Sequence, residues 1–93
     1  MTIKKAEVLG EKILQAFKEV VNMNGHPFCI KVNGLSFVAQ NIEVYMPYLL
    51  LYHFVENTEP YYTLDLTEVE NVEILYTVNS EFHKITIMKK CCL

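Results

Sequence analysis

The sequence predicts an α+β domain in which one amphipathic helix leads into a strongly bent antiparallel sheet of five to six strands. Three observations point there. Apolar residues recur at spacings of three and four along the first part of the chain, the period changes to two after His26-Pro27, and an Asn33-Gly34 pair separates two alternating runs. At 93 residues one core suffices, so residues 1–93 read as a single domain: helix 2–23, antiparallel strands within 28–88, and a flexible tail 89–93.

In the helix, Ile3, Ala6, Gly10, Ile13, Phe17, Val20 and Val21 form the apolar stripe, flanked by Leu9 and Leu14. Thr2 can cap its start, and Asn22-Met23-Asn24-Gly25 supplies residues that tolerate a left-handed end. Glycine inside a helix costs about 1 kcal/mol relative to alanine, so Gly10 is expected where the helix closely approaches a sheet.

Beyond it, Phe28, Ile30 and Val32 alternate with Cys29, Lys31 and Asn33, and Asn33-Gly34 is a strong signal for a tight hairpin. The return strand is expected over 35–45, with a phase change near Asn41-Ile42 that implies a bulge or sharp bend. Residues 48–55, after Pro47, are apolar on both faces and predict a central strand, with His53 a satisfied core histidine. Alternation resumes over 61–66, a turn or short helical twist is expected over 67–71, and Val72, Ile74 and Tyr76 define the next strand. Asn79-Ser80 then turns the chain into a last strand, with Ile85 and Ile87 on one face and His83 exposed.

The run Phe28-Cys29-Ile30-Lys31-Val32-Asn33-Gly34-Leu35-Ser36-Phe37-Val38-Ala39-Gln40 resembles the first two strands of the Sm-like small barrels, including the bacterial Hfq type. The resemblance implies a helix-capped, bent sheet of the Sm- or SH3-like barrel kind, assembled in a ring. Ala39 stands where those barrels carry glycine, and the acidic residues 67–72 occupy the region of their second motif. No RNA-binding residue is therefore carried over.

Charge is segregated. No Lys or Arg lies between Asn33 and Glu81, while that stretch holds eight of the eleven acids; all eight basic residues are lysines, in the first third of the chain or at its end. A one-signed field repels phosphate backbones and attracts basic protein surfaces. The reading drawn from it is a protein-binding inhibitor whose carboxylates imitate a phosphate track and block a basic host protein, such as a nuclease. Its contact residues would be Glu56, Glu59, Asp65, Glu68, Glu70 and Glu73, with Tyr61 and Tyr62 as aromatic anchors. That reading expects the carboxylates to converge on one continuous face; the alternative is that they are only the solvated face of strands. In being short and acidic the chain resembles phage- and mobile-element-encoded inhibitors, anti-CRISPR proteins among them. Two other readings stay open: an Sm-like oligomer binding RNA or a nucleotide through its lysine-bearing helix, and a structural or assembly subunit.

Direct nucleic-acid binding by the tyrosines is disfavoured, because single-strand binders pair aromatics with a positive groove. His26, Cys29, Cys91 and Cys92 have zinc-ligating chemistry, but adjacent cysteines lack the usual two-residue chelate spacing, so no metal or other cofactor is expected. No nucleophile elbow or phosphate-binding loop is present, which argues against an enzyme. The expected location is cytoplasmic, without a signal peptide or membrane span. An apolar content of 52 % in so short a chain favours homo-oligomerisation.

Overall fold

The computed structural model describes residues 2–89. Helix α1, Ile3–Asn22, is followed by strands β1 (His26–Val32), β2 (Leu35–Val38), β3 (Asn41–Tyr45), β4 (Tyr48–Tyr52) and β5 (Tyr62–Asp65). A 3-10 turn, Leu66–Glu68, then leads into β6 (Val72–Val78) and β7 (Glu81–Met88). The α+β class is as the periodicity implied, but the strands form two antiparallel sheets rather than one bent sheet. Their orders are β2-β1-β6-β7 and β3-β4-β5.

Both ends of α1 are built by the residues expected. Thr2 Oγ1 accepts from the Lys5 amide at 3.2 Å. At the other end Gly25 N–H donates to Val20 O at 2.7 Å and Asn24 N–H to Val21 O at 3.0 Å, with Asn24 at φ 61°. These paired bonds satisfy the last carbonyls and stop the helix. Ala6, Leu9, Gly10, Ile13, Ala16, Phe17 and Val20 are buried. Ile3 and Val21, expected in the stripe, face solvent because they lie in the terminal turns, beyond the buried positions 6 to 20.

Gly10 is a close approach. A Cβ there would stand 3.1 Å from Val44 Cγ1 and 3.4 Å from Leu66 Cδ1, so the helix rests on β3 and on the 3-10 turn. The Asn33-Gly34 hairpin forms with φ values of 51° and 82°, and Asn79 (52°) and Ser80 (67°) make a second turn with the same handedness between β6 and β7. Positive φ at both central positions matches the twist of the flanking strands.

The expected bend in strand 35–45 is a change of sheet. Ala39 N–H donates to Phe28 O in the larger sheet, and the next amide, Gln40 N–H, donates to Tyr52 O in the smaller one. Consecutive amides thus serve different ladders, and the Ala39 side chain between them is fully buried. The strand expected over 48–55 ends at Tyr52: it is central in the smaller sheet, with Leu49 and Leu51 fully buried but Leu50 only half-buried. Phe54 N–H donates to Asn57 Oδ1 and Asn57 N–H returns to Phe54 O, turning the chain over residues 54–57. His53 is therefore exposed rather than in the core.

One core joins the layers. Ile13 and Ala16 of α1 meet Ile30 and Ile74 of the larger sheet, Leu49 and Leu51 of the smaller, and Leu66 of the turn. Burying a side chain of this size contributes roughly 1.5–3 kcal/mol.

Candidate partner-binding surface

The acidic stretch divides by the elements that carry it. Glu56 and Glu59 are exposed on the connection between β4 and β5. Glu68, on the 3-10 turn, and Glu70, just after it, are exposed beyond the opposite end of β5. With about 3.3 Å per residue in a strand, the length of β5 separates the two pairs by roughly 10 Å or more.

Asp65 and Glu73 serve the fold. Asp65 Oδ1 accepts from Thr67 N at 2.9 Å and from Thr67 Oγ1 at 2.6 Å, capping the 3-10 turn. Those two hydrogen bonds hold its carboxyl below the usual aspartate range. Glu73 is half-buried on β6, with Lys84 Nζ 3.8 Å away and Lys31 opposite it in the ladder. Lysines on both neighbouring strands thus stand beside its negative charge.

Tyr61 and Tyr62 stand at the start of β5. Tyr61 stacks on His53 with ring centroids 3.7 Å apart and planes within 15°, and its hydroxyl donates to Val38 O at 2.6 Å. Burial, with a smaller contribution from Cys29, raises its phenol above the ordinary range. Tyr62 is 45 % exposed and leans on Phe37 at 4.8 Å. Both rings keep an exposed edge while one side is fixed by a neighbour, which makes them rigid contact groups.

Sequence reading missed two anchors. Glu43, counted only as another acid, accepts the Tyr52 hydroxyl at 2.7 Å. That hydrogen bond first, then burial and the nearby negative charge, raises the Tyr52 phenol above its ordinary range. Asn33 was assigned only to the hairpin, yet its Nδ2 donates to Glu68 O at 3.1 Å and its Oδ1 accepts from Glu70 N at 2.7 Å and Asn71 N at 3.1 Å. The hairpin tip therefore fixes the backbone that presents Glu68 and Glu70. Nothing in local spacing signals a contact across more than thirty residues.

Among the described residues no group of three or more His, Cys, Asp or Glu is arranged to hold a metal ion. Cys29 is buried on β1, while Cys91 and Cys92 lie outside the described residues. His83 is exposed, as expected, and stacks on Tyr76 at 5.3 Å. No helix among those residues is long and apolar enough to cross a membrane. Compared with protein-family profiles, curated proteins and solved structures, the chain returns no match.

Proposed function

We propose that this chain is a non-enzymatic, cytoplasmic inhibitor that docks carboxylates against the basic nucleic-acid-binding surface of a host protein, such as a nuclease. The observation that carries the reading is two exposed acidic pairs, Glu56 with Glu59 on the tyrosine side of β5 and Glu68 with Glu70 beyond its other end, in a stretch without one Lys or Arg. Asp65 and Glu73 belong to the proposed surface only as supports. Carboxylates steer a basic partner into place and compete with its phosphate ligand, while the half-fixed tyrosines supply apolar contact at small entropic cost. Inhibition is steric and electrostatic, with no bond made or broken.

The test is charge reversal of Glu56, Glu59, Glu68 and Glu70 to Lys, with association to a candidate nuclease followed by surface plasmon resonance. Association should slow by roughly 10- to 1000-fold, and added salt should then speed it instead of slowing it, because like charges face each other. Unchanged kinetics would overturn the reading. The second reading, an Sm-like ring that binds RNA, is favoured by one observation: Lys4, Lys5 and Lys12 gather on one rim of α1. A gel shift with pooled RNA that weakens steeply with salt would select it.

A further inference from the structure

A groove of about 430 Å³ lies between the first half of α1 and the end of β7. Its floor is apolar, from Val8, Leu9, Ile87 and Met88, and its rim carries Lys4, Lys5 and Lys12. The first turn of α1 contains no acid, so the positive end of the helix dipole adds to that rim instead of being offset.

An exposed apolar tip followed by acids, opposite in charge to that rim, stands on the same chain. On the β4–β5 connection Phe54 is 51 % exposed and Val55 67 % exposed, immediately before Glu56 and Glu59. The reciprocal hydrogen bonds between Phe54 and Asn57 hold this tip in one shape, so little ordering is required on binding. Val55 borders clefts beside Val21, at the far end of α1 from the groove. Thirteen residues of helix from Val8 to Val21 amount to about 20 Å at 1.5 Å each, so knob and groove sit apart on the molecule.

We infer that the groove receives the Phe54–Val55 tip of a second copy of this chain, with Glu56 and Glu59 meeting Lys4, Lys5 and Lys12. Each molecule offers one knob and one groove in different places, so two copies either exchange tips in a closed two-fold pair or pass them head-to-tail into a ring or a filament. This goes beyond the inhibitor reading. Assembly covers Glu56 and Glu59, so a basic partner reaches them only by displacing a neighbouring copy, whereas Glu68 and Glu70 stay outside the contact.

Light scattering of the purified chain under reducing conditions, with no host protein present, tests the inference apart from the inhibitor reading. Mass above the monomeric 10.8 kDa should rise with concentration. The triple variant K4E/K5E/K12E and the double variant E56K/E59K should each be monomeric, and mixing the two should restore assembly because both contacts regain opposite charges. Phe54→Ser should also abolish assembly, and E68K/E70K should leave it intact. All these side chains are exposed, and circular dichroism confirms that each variant is folded. A wild-type monomer at every concentration overturns the inference, as does an oligomer that K4E/K5E/K12E leaves unchanged or a mixture that stays monomeric.

Discussion

Asn33 takes a left-handed φ of 51° and also holds three backbone groups of the segment 68–71. Replacing it with alanine removes those hydrogen bonds and leaves a residue that, lacking asparagine's short polar side chain, tolerates the left-handed region less well. Asn33→Ala should lower unfolding free energy by about 2–4 kcal/mol, read from urea midpoints, and Asn33→Gly, which restores the backbone freedom, should recover part of that loss. Asp65 acts by charge. Its folded pKa is lowered, so its stabilisation is complete above the unfolded value near ~3.9 and is lost as pH falls through the folded one. Urea midpoints taken from neutral pH down into the acid range should therefore fall more steeply for the wild type than for Asp65→Asn. Equal slopes would show that Asp65 contributes no pH-dependent stability.

At the scale of elements, α1 owes its position to the missing side chain at Gly10. A branched group there would drive into Val44 and Leu66, both held by the core. Gly10→Leu should destabilise by roughly 1–3 kcal/mol even though leucine is the better helix former, measurable as a lowered thermal midpoint. The helix, its caps and both tight turns were legible because short-range interactions decide them: a threonine hydroxyl reaching one turn ahead, or asparagine and glycine accepting positive φ. The division of residues 35–45 between two sheets was not. Its phase change was visible, but which strand accepts the Ala39 and Gln40 amides depends on Phe28 and Tyr52, neither of them a neighbour in the chain. His53 misled for a similar reason, since an apolar run carries no mark of where its ladder partners stop.

At the scale of the molecule, folding sorts the acids by role. Glu73 sits against Lys84, and Lys31 lies opposite it in the ladder, so neighbouring positive charge weakens its field. Glu73→Gln should change association with a basic partner far less than Glu68→Gln or Glu56→Gln does, a comparison that binding kinetics at low salt can make. A larger effect at Glu73 would move the contact surface onto the outer face of the four-stranded sheet. Of the candidate residues, the sequence identified the acidic stretch and its tyrosines but could not separate Asp65 and Glu73 from the rest. Their engagement rests on Thr67 and Lys84, and nothing in composition names those partners.

By itself, then, the amino-acid order determined the α+β class, the limits of α1 to within a residue, the hairpin turns and the one-signed middle, because each follows from local geometry or from charge alone. Only the tertiary structure decided that the strands form two sheets, that Glu56 and Glu59 part from Glu68 and Glu70, and that an apolar tip and a lysine-rimmed groove lie at opposite ends of one helix. Those features depend on which distant segments pair, and pairing is set by the burial of a shared core that no short window of sequence contains.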